Sequence, residues 1–286
     1  MVSNKIKIYL EMIKFQHSIF ALPFAYLGAF LSEMRIPDLK TLFWITLAMV
    51  GARSFAMALN RLIDMEIDRR NPRTAERALP KGLISLKCVM AFSALSLGFF
   101  LLSVYNLATI CRYLWPFVII PFVIYPYTKR FTWLSHFVLG LCLGLAPVGA
   151  WIAVTNTLSV EPFLIGGAVL LWVSGFDIFY AIQDIDFDRR NGLFSLPARF
   201  GIKKSLAIIK ILHTASITIL ALLGIRLGLG LFYYAGVGVA AVLLFYENSI
   251  IKHDDLSRLN LAFFTMNGFV SIILFCFVAF EVTLGG

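Results

Sequence analysis

The chain has 286 residues, of which 60% are hydrophobic and 14% are charged, with a mean hydropathy of +0.85. A soluble domain of this length has too little interior for so many large apolar side chains, so the composition excludes a soluble class and indicates an integral membrane protein. The net charge of +9 does not indicate nucleic acid, because the basic residues fall between apolar runs and follow the charge bias of membrane loops.

Nine apolar segments follow in chain order, each about as long as a helix needs to cross a bilayer. Their approximate limits are 17–33, 39–60, 86–106, 112–128, 133–154, 163–182, 204–225, 228–247 and 260–281. Because these runs do not alternate every second residue, as the strands of a membrane barrel do, they predict an all-α bundle. We predict one transmembrane domain over residues 1–286, since no low-complexity linker divides the chain.

Lysine and arginine residues predict the orientation of this bundle. Nineteen of them lie in the N-terminal segment and in the loops on the same side, and four lie in the loops on the other side. Because basic residues accumulate on the cytoplasmic side, this asymmetry predicts that the N-terminus and the loops 61–85 and 183–203 are cytoplasmic. The predicted location is the cell inner (plasma) membrane, and an odd number of spans puts the C-terminus outside.

The two long cytoplasmic loops carry the same octamer, 120 positions apart. It reads DMEIDRRN at 64–71 and DIDFDRRN at 184–191, and the two loops hold seven of the 16 carboxylates. The repetition indicates a weak internal repeat, with one acidic segment at the cytoplasmic end of a helix in each half. The RRN tails are interpreted mainly as charge that keeps the loops on the cytoplasmic side.

Carboxylates in these octamers are spaced at helical turns. Asn60, Asp64 and Asp68 are four residues apart, so a helix that continued through them would present all three on one face. Asp184 and Asp188 repeat this spacing. Mg²⁺ prefers a few carboxylates completed by water and phosphate oxygens, so the spacing favours two Mg²⁺ sites at a diphosphate. The alternative is that these carboxylates are solvated or pair with the neighbouring arginines.

Basic residues near these carboxylates are of the type that binds a diphosphate. Arg73 and Arg77 follow the first octamer, and Lys129 and Arg130 end the YPYTKR segment, with Lys129 one turn after Tyr125. Arginine and lysine donate to phosphate oxygens and stabilise charge on a leaving group. The alternative is that they only follow the positive-inside bias. Five others are interpreted in that way, as topology signals or lipid headgroup contacts: Arg69, Arg70, Lys81, Lys203 and Lys204.

Arg53 and Asp177 lie inside predicted spans, where a charge is costly. Arg53 precedes Asn60 by seven residues, and Asp177 precedes Asp184 by seven. Arg53 either binds an anionic ligand, such as the carboxylate of an acceptor, or pairs with Asp177 in a structural role. Three histidines in apolar segments lack a second metal ligand at a useful spacing and are interpreted as packing or hydrogen-bonding residues: His17, His136 and His213.

Taken jointly, these motifs resemble the UbiA-type intramembrane aromatic prenyltransferases. The matching features are N-x-x-x-D-x-x-x-D at 60–68, Y-x-x-x-K at 125–129, D-x-x-Y-x-x-x-D-x-x-x-D at 177–188 and S-L-P-A-R-F-G at 195–201. The resemblance covers nearly the whole chain. The opening KFQHSIFALPFAYLGA is similar to the bacterial 4-hydroxybenzoate polyprenyltransferase-like branch, including members of the futalosine route to menaquinone. One departure is that some relatives carry an arginine in the first helix, where this chain has Lys14 and His17.

The resemblance implies nine transmembrane helices around a central cavity that opens sideways to lipid and is capped by the two charged loops. It implies two Mg²⁺ ions that bridge a polyprenyl diphosphate. The implied metal ligands are Asn60, Asp64 and Asp68 for one ion, and Asp184 and Asp188 for the other. The implied diphosphate ligands are Arg73, Arg77 and Lys129, with Tyr125 and Tyr180 positioning the substrate. Asp177 would orient this polar network, and Arg53 would lie near the aromatic acceptor.

The implied reaction is transfer of a polyprenyl group to 4-hydroxybenzoate or a related hydroxynaphthoate, in ubiquinone or menaquinone biosynthesis. It would proceed by Mg-assisted ionisation and electrophilic aromatic substitution. Alternatives within the superfamily are haem O, chlorophyll and ether-lipid synthases. A CDP-alcohol phosphotransferase would need a D-G-x-x-A-R segment, which is absent from the sequence. An anion transporter that used Arg53 and Asp177 would not need four carboxylates at the cytoplasmic rim.

Overall fold

A computed structural model describes residues 2–251, 253, 256 and 267–285, without the side chains of residues 2–6 and 15–20. Within these ranges every regular element is helical. The helices are α1 (Val2–Met12), α2 (Phe15–Leu31), α3 (Leu39–Ile63), α4 (Met65–Arg70), α5 (Leu86–Tyr105), α6 (Cys111–Thr128), α7 (Ser135–Thr155), α8 (Glu161–Ala181), α9 (Ile185–Arg190), α10 (Leu196–Leu227), α11 (Leu231–Ile250) and α12 (Asn267–Leu284). A 3₁₀ turn at Ile182–Asp184 joins α8 to α9.

Seven helices in the described part of the chain are long and apolar enough to cross a membrane. They are α3, α5, α7, α8 continued through α9, α10, α11 and α12. The predicted all-α membrane bundle is therefore confirmed, but the predicted count of nine spans is not. The two other predicted segments correspond to α2 and α6. α2 has only 17 residues, and α6 is an 18-residue apolar helix that contains three prolines.

Two of the predicted boundaries differ from the structure or lie outside its description. α10 begins at Leu196, earlier than the predicted 204, because the Ser195 side chain accepts the Ala198 N–H and Pro197 fits the first helical turn. The backbone then bends at Gly201, where φ is 79° and only glycine is unstrained. The predicted last span starts at 260, but residues 257–266 lie outside the described residues.

Small residues let α7 and α8 approach closely, and this pair carries part of the site described below. A Cβ atom on Gly140 would lie 2.4 Å from the Leu170 carbonyl oxygen, and one on Gly144 would lie 2.5 Å from the Gly166 carbonyl oxygen. Membrane helices associate by close packing of this kind, because lipid is as apolar as the side chains that it would replace. The α7–α8 pair is therefore a rigid support for the side chains at the end of α8 that leads into the second octamer.

The contact between α2 and α7 yields a prediction about stability. A Cβ atom on Gly28 would lie 2.2 Å from the backbone oxygen of Pro147, which cannot turn away. We expect Gly28→Ala to lower the free energy of unfolding by about 1–3 kcal/mol through overpacking. Thermal unfolding in detergent measures the effect, with Gly98→Ala as the control, because a Cβ atom on Gly98 meets nothing within 4 Å. Equal melting temperatures for the two variants would contradict the close α2–α7 contact.

Candidate active site

Each octamer begins at a kink where a long helix passes into a short one. Asp64, between α3 and α4, has φ −91° and ψ 3°. Asp184, between the 3₁₀ turn and α9, has nearly the same backbone, with φ −103° and ψ 6°. These angles lie in the sparsely populated bridge region, where active-site residues are often found. Hydrogen bonds continue across the first kink, from the Asp64 N–H to the Asn60 carbonyl and from the Asp68 N–H to the Asp64 carbonyl.

A polar pocket of about 160 Å³ lies where the two kinks meet. Eleven of the twelve predicted site residues line it: Asn60, Asp64, Asp68, Arg73, Arg77, Tyr125, Lys129, Asp177, Tyr180, Asp184 and Asp188. Asn60, Asp64 and Asp68 therefore face one side, as their spacing predicts. The twelfth residue, Arg53, lies deeper, in a second cavity.

Asp64 is almost fully buried and has cations on both sides. Its Oδ2 accepts hydrogen bonds from Lys129 Nζ at 2.6 Å and from Asn60 Nδ2 at 3.0 Å. Arg130 Nη2 lies 3.2 Å from Oδ1, but its direction is wrong for a hydrogen bond, and no described residue donates one to this buried oxygen. One oxygen of the first octamer is therefore placed to take a further ligand.

Asp68, one turn later, is held by two arginines. Both of its oxygens accept from Arg77 Nη1, at 2.6 and 2.7 Å, and Arg61 Nη1 lies 3.8 Å from Oδ2. Arg61 also donates from Nε to the Met12 carbonyl, at 3.2 Å. The end of α1 is thus tied to the first acidic motif through a buried guanidinium.

Asp184 joins the two octamers to each other. Arg73 donates to both of its oxygens and to the Tyr180 hydroxyl, and Asn71 Nδ2 donates to Oδ1 at 3.0 Å. Burial lowers the pKa of Arg73, but the hydrogen bonds to Asp184 and Tyr180 outweigh burial and hold that pKa above its usual value. Arg73 therefore stays charged in the pocket. In the second octamer, Asn191 instead donates to the Phe187 carbonyl of its own helix, at 2.9 Å.

The remaining carboxylate of the second octamer, Asp188, is bound by the start of α10. Ser195 Oγ donates to Asp188 Oδ2 at 2.7 Å, and the same hydroxyl caps α10. The backbone N–H of Phe194 donates to the Lys129 carbonyl at 2.7 Å. The second loop is thus fastened to the end of α6 as well as to its own acidic motif.

A second, mostly apolar cavity of about 420 Å³ adjoins the polar pocket. Five residues line both spaces: Asn60, Arg77, Tyr125, Asp177 and Tyr180. Arg53 lines only the apolar cavity, and its buried Nε has no hydrogen-bond partner among the described residues. Lys14 also lines this cavity, whereas the side chain of His17 lies outside the described residues.

Asp177 pairs with a histidine and not with Arg53. His136 Nδ1 lies 2.6 Å from Asp177 Oδ2, and the backbone N–H of Leu196 donates to His136 Nε2 at 3.3 Å. Among the described ion pairs none joins Arg53 to Asp177, so the predicted alternative of an Arg53–Asp177 pair is not observed. The interpretation of His136 as a hydrogen-bonding residue agrees with the structure.

The comparison with known families decides the class of the chain. The sequence profile of the UbiA prenyltransferase family matches residues 21–272. The chain belongs to the UbiA prenyltransferase family. It is therefore a prenyltransferase, and the resemblance drawn from its motifs is confirmed.

Individual UbiA relatives agree in sequence and fold. The 4-hydroxybenzoate octaprenyltransferase of Vibrio cholerae is 34% identical over 226 residues, which are 79% of each chain. The protein of the same name from Xanthomonas oryzae pv. oryzae is 33% identical over 246 residues, covering 85% of this chain and 81% of the relative. The apo structure of a UbiA homologue from Aeropyrum pernix K1 has a TM-score of 0.85 and 34% identity, covering 92% of this chain and 97% of its own.

More distant UbiA structures share the fold. A homologue from Archaeoglobus fulgidus, solved with GPP and Mg²⁺, has a TM-score of 0.71 at 18% identity and covers 97% of this chain and 100% of its own. The helical frame of this chain is therefore the UbiA fold, and its two kinked acidic segments lie within the part that the family profile matches.

Sequence reasoning did not assign five residues to the pocket or its support: Arg61, Asn71, Arg130, His136 and Ser195. Asn71 ends the first octamer and Arg130 directly follows the Y-x-x-x-K motif, so the sequence pointed to both positions but not to the residues that they contact. His136 is separated from Asp177 by 41 residues and belongs to another helix. Such a pair has no spacing signature and becomes visible only when α7 packs on α8.

Proposed function

We propose that this UbiA prenyltransferase transfers a polyprenyl group from a polyprenyl diphosphate to 4-hydroxybenzoate or a related hydroxynaphthoate, in ubiquinone or menaquinone biosynthesis. The main observation behind the proposal is that the polar pocket and the apolar cavity meet. The polar pocket holds two carboxylate pairs with their cations, and it opens onto an apolar cavity that contains Arg53. The bacterial relatives are 4-hydroxybenzoate octaprenyltransferases by name, which supports the same acceptor.

The diphosphate would lie in the polar pocket, between the two octamers. Arg73, Arg77 and Lys129 each hold an aspartate there, and phosphate oxygens are acceptors of the same kind. Guanidinium and ammonium groups fixed at this place would stabilise charge on the diphosphate as it leaves. Tyr125 and Tyr180 line both spaces and would position the substrate between them.

The donor set of the pocket fits Mg²⁺. Its four octamer carboxylates and the Asn60 amide are hard oxygen ligands, and the buried Asp64 Oδ1 has no hydrogen bond from the described residues. No three acidic, histidine or cysteine side chains of the described residues converge on one point, so phosphate and water oxygens would have to complete the shell of each ion. We propose two sites, one at Asn60, Asp64 and Asp68 and one at Asp184 and Asp188. Bound there, Mg²⁺ would act as a Lewis acid on the diphosphate oxygens.

The apolar cavity would hold the first part of the prenyl chain and exclude water. Its walls include Phe24, Phe100, Phe122 and Phe176. Water would quench an allylic cation, so an apolar environment protects the intermediate until the acceptor attacks. Aromatic faces at this place can also stabilise the cation.

The acceptor would bind at the junction, with its carboxylate toward Arg53. In the transfer step the bond between the allylic carbon and the diphosphate oxygen breaks, and its electron pair leaves with the diphosphate. A ring carbon ortho to the hydroxyl forms the new carbon–carbon bond, and the ring proton leaves to a base. We assign that base to Asp177, because it is the carboxylate that lines both spaces outside the octamers.

The membrane arrangement completes the proposal. We propose that α2 and α6 also cross the bilayer, which gives nine spans in a single domain, with the polar pocket on the cytoplasmic side of the plasma membrane. The ratio of 19 basic residues to four between the two sides supports this orientation. The loops after α3 and α8 would then cap the cavity.

A transfer assay in membranes tests the function. A labelled polyprenyl diphosphate is supplied with 4-hydroxybenzoate or dihydroxynaphthoate, with Mg²⁺ or with a chelator. We expect a prenylated aromatic product and release of diphosphate, both only with Mg²⁺. Product from a non-aromatic acceptor alone would favour an ether-lipid type of synthase, and no transfer to any acceptor would contradict the proposed reaction.

A further inference from the structure

We propose that His136 is a positioning residue for the acceptor side of the reaction, because it holds the Asp177 carboxylate at the junction of the polar pocket and the apolar cavity. The inference rests on the proposed function, which assigns Asp177 to the aromatic acceptor. His136 lines the polar pocket but belongs to neither octamer, and it is only 3% exposed. Its contacts connect three helices that the sequence keeps far apart.

The hydrogen bonds of His136 determine which of its ring nitrogens carries the proton. The backbone N–H of Leu196 is a donor only, so Nε2 must accept with its lone pair. The proton therefore lies on Nδ1, which donates to Asp177 Oδ2 at 2.6 Å. An imidazolium would turn an N–H toward the Leu196 N–H, so this geometry selects the neutral ring with one defined tautomer.

Contacts between α7 and α8 hold the backbone from which this ring extends. Ser174 on α8 donates from Oγ to the His136 carbonyl at 3.2 Å, and also to the Leu170 carbonyl at 2.7 Å. A Cβ atom on Gly140, one turn after His136, would lie 2.5 Å from that same Ser174 Oγ, so the helices approach closely beside the histidine. The ring itself is held at both nitrogens, by Leu196 and Asp177, so it leaves the Asp177 carboxylate little rotational freedom.

The start of α10 joins this pair to the metal-side carboxylates. Ser195 donates to Asp188, and the next residue, Leu196, donates its N–H to His136. Ser195 thus holds Asp188, which is assigned to the diphosphate side. Leu196, the next residue, holds Asp177 on the acceptor side through His136. The relative position of the two reactants would depend on this one turn, and a displacement of about 1 Å is enough to slow a transfer of this kind about 100-fold.

A second buried histidine provides a matched control. His213 on α10 is 2% exposed, and its Nδ1 lies 2.9 Å from the Asn248 amide nitrogen. Its ring packs against Gly175 of α8, and it lines neither cavity. Replacing it removes a buried hydrogen bond of a similar kind but touches no reactant.

Steady-state kinetics of three variants in the full-length protein test the proposal: His136→Leu, His136→Gln and His213→Leu. Leucine removes both hydrogen bonds, whereas the glutamine amide offers an N–H donor for Asp177 and an oxygen acceptor for Leu196. For His136→Leu we expect kcat to fall about 10- to 100-fold while the KM for the prenyl diphosphate changes less than about twofold. We expect His136→Gln to restore kcat to within about threefold of wild type, and His213→Leu to change thermal stability but not kcat.

Other results would overturn the proposal. Wild-type kcat in His136→Leu would show that the histidine does not act on the reaction. A glutamine variant that is as stable as wild type but as slow as the leucine variant would show that the hydrogen bond to Asp177 is not the cause. If the wild-type protein transfers no prenyl group to any aromatic acceptor, the proposed function itself is wrong. That result differs from the two results above, because it appears in the wild type and not only in the His136 variants.

Discussion

Replacing Asp184 by asparagine is expected to lower kcat for prenyl transfer on the order of 10³-fold, which is the upper range for losing one electrostatic stabiliser of a transition state. Asp184 lies at the kink before α9, lines the polar pocket and binds Arg73 through both oxygens. Asparagine keeps the size of the side chain but removes the negative charge, so one of the proposed Mg²⁺ sites loses a ligand. Arg73 would also lose its charged partner.

The octamer itself supplies the control for this prediction. Asp186 lies two residues further on, has the same charge, and is exposed and outside the polar pocket. Asp186→Asn should therefore keep kcat within about twofold of wild type. Binding of Mg²⁺ and a prenyl diphosphate analogue, measured by calorimetry, separates loss of the ligand site from misfolding. Equal activity of the two variants would remove the support for a metal clamp built from the repeated octamer.

Replacing Arg53 by methionine is expected to raise the KM for a carboxylated aromatic acceptor about 10- to 100-fold. Hydrogen bonds to charged groups contribute about 1.5–3 kcal/mol, and about 1.4 kcal/mol corresponds to a factor of ten. Arg53 lines the apolar cavity, and its buried Nε has no partner among the described residues, so a carboxylate ligand would satisfy it. The KM for the prenyl diphosphate should not change, because Arg53 does not line the polar pocket.

An acceptor without a carboxylate provides the most specific control for Arg53. Wild type and Arg53→Met should use a simple phenol with the same low efficiency, since the lost interaction is absent in both. Arg226→Met is the matched cation control, because Arg226 pairs with Glu161 near the other end of α8 and lines neither cavity. A variant that lost activity equally with phenol and with the carboxylated acceptor would place Arg53 in a structural role.

The sequence predicted the composition of the site better than its internal contacts. Motif spacing, residue type and the family resemblance together identified eleven residues that line one pocket, and the helical periodicity that brings Asn60, Asp64 and Asp68 to one face is visible in the chain. It could not predict that Asp177 binds His136 and not Arg53, since that choice depends on how α7, α8 and α10 pack. Interhelical partners of this kind have no periodic signature in one sequence.

The same difference applies to the fold. Apolar length identified the long helices, because a bilayer of about 30 Å sets a minimum span. It did not predict the early start of α10, which depends on the Ser195 cap, or the amphiphilic helix α1 before the first apolar run. The start of α10 and the helix α1 depend on local hydrogen bonds and on the surface that each covers. Average hydropathy contains no information on either.

Duplicated sequence in this chain does not mean redundant parts. Asn71 and Asn191 end identical RRN tails, yet the Asn71 amide donates to Asp184 in the other octamer, whereas the Asn191 amide donates to Phe187 in its own helix. Because both tails read RRN, exchanging them would not change the sequence. The contact of the Asn71 amide with Asp184 therefore depends on the loop around the tail, and the two octamers would not be interchangeable. The two copies differ in the backbone next to each octamer and in the contacts that it allows. A residue-by-residue comparison of the two octamers would not detect this difference.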